Sequence, residues 1–394
     1  MRLHTSGFPI LKSLALAAAL FAAGCSSPPA SPAPTPIDEL PVRERNLEDA
    51  IRDGVAFLLK NQRPTGAFAT GLGAKGWESY EAFPGSPEAF KVGASALCCL
   101  ALREVGTPEA LEAARRGEVW LATKAITLRR ASTGEIYNCW GYVYALQALA
   151  FAVQKETDPA HLATVTKGAQ EHLDLLGRYQ TAYGGWNYYD FIVGAQVPSM
   201  APTSFTTAAG LVAFAEAKKA GLAVPELMVK RCLRVVERCR TPFGVFTYNF
   251  DDWFAPTAGY NLPKGAMGRS QSCYDALLSW NSPSVTLEKA TANFDFLVKE
   301  HRFIECGRKR QFPHEAWYAT APYYYYFGHY YASRVMERFP AEKRRADAAT
   351  MLTFVLPHQE EDGSWWDYPM LDVHKPYGTA FALMILLRCR DSMK

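Results

Sequence analysis

The sequence has almost no excess of charge of either sign, because 42 Lys and Arg face 39 Asp and Glu and leave a formal net charge of +3. A near-neutral protein lacks the basic surface that a phosphate backbone attracts, so we expect no nucleic-acid partner. After the N-terminal segment no apolar run is long enough to cross a bilayer. No Cys-x-x-Cys pair occurs and no other ligand spacing stands out. We therefore predict no metal and no cofactor.

The N-terminal segment, residues 1–24, has the pattern of an export signal. Arg2 and Lys12 precede the short apolar run Leu14 to Ala23, and Gly24 and Cys25 follow it. The residues Ala22 to Cys25 resemble a bacterial lipobox, which implies a lipid on Cys25, although a plain secretory signal with an incidental cysteine would look similar. Residues 25–44 are rich in Ser, Pro and Ala and predict a semi-rigid tether. We expect an exported lipoprotein on the periplasmic side of a bacterial envelope, held at a membrane by this lipid.

A short turn pattern recurs along the rest of the chain. Gln or Arg is followed after three residues by Gly, and two residues later by a large apolar side chain. Because five copies share this register, we interpret each as a tight turn between two helices, with the aromatic residue packing the turn down. The spacing leaves room for a sixth, degenerate copy around His301 to Gly307. The turn glycines are Gly66, Gly134, Gly184, Gly244 and Gly363.

These turns resemble the Gln-x-x-x-Gly-x-Trp repeat of the squalene-hopene cyclase and protein prenyltransferase superfamily. Gln359, Gly363 and Trp365 match in full, as do Gln180, Gly184 and Trp186. The copy at residue 62 has Phe in place of Trp, and those at 130 and 240 lack the Gln. The resemblance covers roughly residues 45–390 and implies an all-α protein, an α/α toroid of six helical hairpins. The same fold serves polysaccharide lyases and ligand-binding proteins, so it does not decide the chemistry.

Hydrophobic periodicity and caps place the twelve helices of such a toroid in one domain, residues 45–394. The predicted outer helices are Leu47 to Lys60, Pro108 to Lys124, His161 to Tyr179, Pro225 to Cys239, Val285 to Glu300 and Ala341 to Leu356. The predicted inner helices, which are apolar almost all round, are Glu88 to Val105, Trp140 to Gln154, Thr203 to Lys219, Ser270 to Trp280, Tyr323 to Arg338 and Gly378 to Arg388.

The loops that lead into the inner helices are rich in aromatic residues and should surround one mouth of the toroid. Such a mouth could stack on sugar rings, hold an apolar polycycle or stabilise a cation. Alternatively, the aromatic residues only fill space between hairpins. The residues predicted to bind a ligand are Trp140, Trp186, Tyr188, Tyr189, Trp253, Trp317, Tyr323, Tyr326, Trp366 and Tyr377.

Three residues are candidates for catalysis: Asp251 and Asp252 together, and His314 for a different alternative. Triterpene cyclases of the superfamily use an Asp-x-Asp-Asp motif, of which the run from Asn249 to Asp252 keeps only Asp251 and Asp252. The same two residues would have to supply the acid and base of a glycosidase. His314, close to several tyrosines, offers the base of a polysaccharide lyase. The Asp-x-Cys zinc motif of prenyltransferases is absent.

These features predict a protein, expected to be a monomer, that binds a small apolar, isoprenoid-like ligand or a carbohydrate. The sequence does not decide whether the protein is also an enzyme. Terpenoid cyclase-like and polysaccharide lyase-like chemistry are the alternatives. A third alternative is an envelope scaffold that has no small ligand.

Overall fold

The structure, a computed structural model, describes residues 45–73, 86–125, 139–188, 198 and 201–394, without the side chains of Ser86 and Trp253. The predictions for Cys25, Gly134, Tyr189 and the Trp253 side chain lie outside the described residues. The α-helices of the described part are α1 (Leu47–Asn61), α2 (Ser86–Val105), α3 (Pro108–Thr123), α4 (Cys139–Lys155), α5 (Pro159–Arg178), α6 (Ser204–Lys219), α7 (Glu226–Arg238), α8 (Pro263–Ser279), α9 (Leu287–Lys299), α10 (Arg302–Glu305), α11 (Tyr324–Met336), α12 (Ala341–Val355) and α13 (His374–Met393).

Six of these helices form a closed inner ring. In order around the ring they are α2, α4, α6, α8, α11 and α13, and α13 packs back against α2. The outer helices surround them: α3 packs on α2, α5 on α4, α7 on α6, α9 on α8, and both α12 and α1 on α13. The described residues form no β-sheet, only two isolated bridges. The predicted α/α toroid is therefore confirmed.

Burial explains which helices lie inside. Every residue of α6 from Ser204 to Phe214 is buried, whereas the outer helix α7 buries one stripe that includes Met228, Cys232 and Val236. A helix with neighbours on both sides must be apolar all round, and a helix facing water on one side must not. None of the helices within the described ranges is both long and apolar enough to span a membrane.

The predicted glycine turns adopt the expected backbone conformation. Gly66, Gly184, Gly244 and Gly363 all have positive φ. At Gly363 a Cβ atom would lie 2.4 Å from the Asp53 carbonyl oxygen, so the position excludes a side chain for two reasons. The predicted sixth copy differs, because Gly307 follows α10 and does not have a positive φ.

The Gln and Trp of the repeat tie each turn to its helices. Gln359 donates from Nε2 to the carbonyls of Gly363 (3.0 Å) and Ala50 (2.9 Å), the latter in the neighbouring outer helix α1. The Trp365 indole donates to the Val355 carbonyl at the end of α12 (2.9 Å). The indole thus serves a carbonyl of the last helical turn, where the carbonyl groups lack a donor within the helix.

Candidate ligand-binding cavity

An aromatic cavity opens at the end of the toroid where the inner helices begin. Its empty space is about 840 Å³, the open mouth included. Its wall comes from the first turns of five inner helices and from the loops before them. The lining residues are Phe90, Gly93, Ala94, Leu97, Trp140, Tyr144, Tyr188, Phe205, Tyr323, Tyr324, Phe327, Tyr368, Met370, Tyr377 and Phe381.

Four of the predicted ligand-binding residues lie in this wall: Trp140, Tyr188, Tyr323 and Tyr377. The rings are held in fixed orientations by their neighbours. Trp140 stacks on Tyr144, with ring centroids 5.6 Å apart and planes 9° apart, and packs against Phe205 at 6.0 Å. Mutual aromatic packing of this kind leaves a preformed apolar surface, because the rings cannot rotate without losing contacts.

The other described candidates do not line the cavity. Trp186 is fully buried in its turn, where its indole donates to the Leu176 carbonyl (3.0 Å). This placement follows from the repeat, which directs the Trp into the hairpin. Trp317, in the loop before α11, is largely exposed, and Tyr326 is buried in the first turn of α11. Trp366 packs edge-on against His374, with Lys309 Nζ 4.5 Å from its ring centre.

Sequence reasoning did not select the deeper half of the wall. Tyr144, Phe327 and Phe381 each lie four residues after a predicted residue, Trp140, Tyr323 and Tyr377 respectively. Residues four apart lie above one another on the same helix face, so the helical period was the signal that could have found them. Phe90 and Phe205 carry no such partner in the predicted set.

The Tyr323 hydroxyl, on the cavity wall, forms a hydrogen bond with His314. His314 Nδ1 faces the Ala319 carbonyl at 2.8 Å, and its Nε2 lies 3.1 Å from the Tyr323 oxygen. Because a carbonyl only accepts, Nδ1 carries the proton and Nε2 accepts from the phenol. His314, one of the predicted catalytic residues, is thus linked to the cavity wall through Tyr323.

Asp251 and Asp252 do not reach the cavity. Asp251 is exposed, and Asp252 caps the short 3₁₀ turn Phe250–Phe254. The Asp252 carboxylate accepts from the Asn249 backbone N–H (3.1 Å) and from the Asn261 amide (3.4 Å). Capping a turn is the usual use of Asp at such a position. Asp251 and Asp252 are therefore not placed to act as acid and base on a ligand in the cavity.

The carboxylate that does adjoin the cavity is Asp367. It is fully buried, and burial raises its pKa to about 6, against the opposing hydrogen bonds from Tyr377 and the Tyr326 backbone. The Tyr377 hydroxyl, which lines the cavity, donates to Asp367 Oδ1 at 2.5 Å, and the Tyr326 N–H donates to Oδ2 at 3.0 Å. Asp367 is not among the residues predicted from the sequence, because nothing in the sequence marks it as buried.

The opposite mouth, where the inner helices end, is lined by charged residues. Arg334 bonds to Asp275 at 2.6 Å, and Arg388 forms a bidentate pair with Glu104 at 2.9 and 3.0 Å. Arginines at helix C-termini offset the negative end of the helix dipoles. In the described part of the chain no group of three or more His, Cys, Asp or Glu is placed to hold a metal ion.

Comparison with known proteins supports the fold alone. No protein-family model and no curated protein matches the chain. Among solved structures, cellobiose 2-epimerase from Spirochaeta thermophila matches with a TM-score of 0.54 and 16% identity, covering 88% of this chain and 98% of that one. Type II terpene cyclase MstE from Scytonema, in complex with geranylgeranyl dihydroxybenzoate, gives 0.51 and 13%, covering 88% and 97%.

A possible member of the GH105 family from Salmonella enterica matches with a TM-score of 0.51 and 14% identity, covering 91% of this chain and 99% of that one. The epimerase, the terpene cyclase and the possible GH105 member thus share one architecture with this chain at low identity. The chain has the same α/α toroid fold as these three proteins, over nearly the whole length of each of them.

Proposed function

We propose that the protein binds an apolar, isoprenoid-like ligand in the aromatic cavity. The observation that carries this proposal is the composition of the wall, which contains aromatic and aliphatic residues and no charged side chain among the described residues. Each buried CH₂ group of a ligand contributes about 0.8 kcal/mol in such a site. The type II terpene cyclase among the structural neighbours holds a geranylgeranyl compound, which supports the same ligand class here.

A carbohydrate fits this wall less well. Sugar hydroxyls lose their water on binding and need several donors and acceptors in return. The described wall offers tyrosine hydroxyls, and that of Tyr377 already donates to Asp367. Glycosidases also need two carboxyl groups roughly 5 to 9.5 Å apart at the ligand, and no carboxylate lies in the described wall.

The ligand proposal is tested by filling the cavity. Gly93 lines the cavity, and a Cβ there would meet no atom closer than 3.5 Å, so the backbone accepts a side chain and Gly93→Leu should add bulk at the cavity wall. Gly177→Leu, on the exposed face of α5, is the matched control. Titration with geranylgeraniol, followed by tryptophan fluorescence, should show binding by the wild type and the control. Binding should weaken at least about tenfold in Gly93→Leu, as loss of a few buried methylenes predicts.

Two other results of this titration would contradict ligand binding in the cavity as proposed. Equal affinity in all three proteins would place the ligand outside the cavity. Absence of binding to the wild type, together with binding of an oligosaccharide, would favour the carbohydrate alternative.

We also propose that the protein is exported and anchored by a lipid on Cys25. The support is the signal pattern of residues 1–24 and the lipobox-like residues before Cys25. The wild-type protein should stay with membranes after an alkaline carbonate wash, whereas Cys25→Ser should be extracted. Retention of both proteins after the wash would contradict the lipid anchor.

A second candidate function is acid-catalysed conversion of the same ligand, favoured by the pair of Asp367 and Tyr377. A carboxyl group with a pKa of about 6 is partly protonated near neutral pH. In that form Asp367 would donate to the Tyr377 oxygen, the reverse of the bond described above, and replace the proton that the phenol gives to the ligand. Asp367→Asn and Tyr377→Phe should keep ligand binding and lower turnover by roughly 10²- to 10⁴-fold. Undiminished turnover in both variants would remove this candidate.

A further inference from the structure

A second, polar basin opens at the opposite end of the toroid, where the inner helices end. All six inner helices contribute to its wall, and its empty space is about 950 Å³, the open mouth included. Nine of its lining residues are charged, whereas the described wall of the aromatic cavity has no charged side chain. The residues that line this polar basin are Leu100, Glu104, Gln147, Phe151, Gln154, Lys155, Glu216, Lys219, Asp275, Arg334, Glu337, Arg338 and Arg388.

The carboxylates of the polar basin are already paired within the protein. Both oxygens of Glu104 accept hydrogen bonds from Arg388, at 2.9 and 3.0 Å. Asp275 is fully buried and accepts from Arg334 at 2.6 Å and from Arg338 at 3.0 Å. The other two carboxylates of the wall each lie within 4 Å of a cation. The basin therefore has little capacity left for a cationic ligand.

The cations of the basin, in contrast, keep unused donors. Five Lys and Arg side chains stand in the wall against four carboxylates. Arg334 donates from Nε and Nη2, each to a carboxylate, so its Nη1 has no acceptor among the described residues. Arg338 donates only from Nη2, and the nearest described group to the Lys155 ammonium is the Phe151 ring, at 5.9 Å. A guanidinium presents five N–H donors in a fork that matches carboxylate and phosphate oxygens.

The two arginines are held in place by the protein itself. Asp275 bonds to both of them, and the Arg334 guanidinium also lies over the Tyr330 ring, 5.9 Å from its centre. Donors that are fixed in advance lose little conformational entropy when a ligand binds. Offsetting the helix dipoles explains why cations lie near this mouth. It does not explain a buried carboxylate that carries two arginines, because the desolvation of buried ion pairs offsets most of their attraction.

We propose that the polar basin is a second ligand site, which binds a small organic anion through a carboxylate or phosphate group. The oxygens of this group accept hydrogen bonds from Arg334 and Arg338, and Lys155 adds a positive charge. The site is separate from the aromatic cavity. The fully buried Tyr330 lies between them, accepting from Gln147 of the basin at 2.9 Å and packing on Phe381 of the cavity wall at 5.0 Å.

Isothermal titration calorimetry with inorganic phosphate and with citrate tests this site. Ionic strength is held constant, because salt screens exposed charges. The wild type should bind at least one of the two anions, and the preferred anion identifies the group that the site recognises. The double variant Lys155→Gln, Arg338→Gln should bind it at least about tenfold more weakly, since two charged donors are lost. The matched control, Lys167→Gln with Arg178→Gln, removes the same charge from exposed positions of α5 and should bind like the wild type.

A second readout needs no variant and so does not depend on how a substitution affects folding. Lys155 and Lys167 are both exposed, and acetylation of each can be followed by mass spectrometry of the wild-type protein. The bound anion should slow acetylation of Lys155 several-fold and leave that of Lys167 unchanged. The proposal is wrong if the wild type binds neither phosphate nor citrate, if the two double variants bind equally, or if the two lysines are protected to the same extent.

The polar basin goes beyond the proposed apolar ligand, and the two sites can fail separately. Gly93→Leu, which adds bulk to the aromatic cavity, should bind phosphate or citrate like the wild type. The double variant of the basin should still bind geranylgeraniol. A loss of anion binding in Gly93→Leu would contradict two separate sites.

Discussion

Gly363 shows how two local constraints act at one residue. Its φ is +86°, and a Cβ would lie 2.4 Å from the Asp53 carbonyl oxygen. Gly221 has a similar φ of +83° but has no atom within 4 Å of a Cβ. Gly221→Ala should therefore cost only the conformational term, about 1 kcal/mol, whereas Gly363→Ala should lower the free energy of unfolding by clearly more. Urea unfolding measures both, and equal losses would show that the close approach to Asp53 is not present. Gly363→Val, whose branched side chain adds to the clash, should also exceed ~1 kcal/mol.

His172 makes stability dependent on pH. It is fully buried, and burial lowers its pKa to about 4 from the ordinary 6.5, despite its hydrogen bond with the Leu121 carbonyl. Between those values the unfolded chain binds a proton that the folded chain does not, so stability falls as the pH drops from 6.5 towards 4. The slope due to this residue approaches about 1.4 kcal/mol per pH unit.

The variant His172→Leu should lack the contribution of His172 to the pH dependence of the free energy of unfolding. Any loss of stability that the substitution causes at neutral pH should be the same at each pH. Urea unfolding at pH 7, 6 and 5 measures it. A slope equal to that of the wild type would show that the imidazole is not buried in its neutral form.

Single residues were also where prediction from the sequence was weakest. Asp251 and Asp252 attracted attention as adjacent acids, yet one is exposed and the other caps a turn. Asp367 was not selected, although burial gives it the shifted pKa. The chemistry of a carboxyl group depends on its environment, and here that environment is set by residues of two different helices, Tyr326 of α11 and Tyr377 of α13.

At the scale of elements, the repeat turn stabilises the end of an outer helix. The Trp365 indole donates to the Val355 carbonyl at the last turn of α12. Trp365→Phe removes that donor and leaves a small void, so we expect a loss of about 2 to 3 kcal/mol in the free energy of unfolding. The control is Trp317→Phe, the same change at an exposed position, which should stay within about 0.5 kcal/mol. Similar values for both would contradict a structural role for the repeat Trp.

Elements were the scale at which the sequence was most informative. Periodicity and caps placed most helix ends within two or three residues, as for α3, predicted as Pro108 to Lys124 and observed as Pro108–Thr123. The exceptions are α13, which spans His374–Met393 and not Gly378 to Arg388, and α8, which begins at Pro263 and not at Ser270. The first turns of α8 contain Gly265 and Gly268, and glycine in a sequence favours a loop over a helix. In the fold they permit close packing, since a Cβ on Gly268 would lie 3.0 Å from that of Tyr324.

At the scale of the whole molecule, the toroid depends on contacts that close the ring. Asp372, in the loop before α13, accepts from the Thr70 N–H (2.7 Å), the Thr70 hydroxyl (2.6 Å) and the Gly71 N–H (2.9 Å), after α1. Asp372→Asn loses the charge and one acceptor at this junction, so we expect the free energy of unfolding to fall by at least about 2 kcal/mol. Unfolding should remain one cooperative transition. Asp362→Asn, whose bonds stay within the last hairpin, should lose less. Urea unfolding followed by fluorescence and circular dichroism checks both values, and equal losses would mean that closure adds nothing.

The resemblance of the repeat turns predicted this closed architecture, although no local pattern shows that α13 meets α2. The cavity was predicted only at its mouth, because the loops reveal their aromatic residues while the deeper wall lies inside helices that are apolar on every side. Which of those faces points to the axis is decided by how six helices pack together, a property of the assembled ring.

The central claim, that the cavity holds an apolar ligand, is tested most directly by native mass spectrometry of protein purified from its own membranes. The wild type and Gly177→Leu should each carry an added mass that organic solvent extracts as an isoprenoid-like compound, and Gly93→Leu should lack it. A wild-type protein with no added mass, or an oligosaccharide bound equally by all three, would contradict the account.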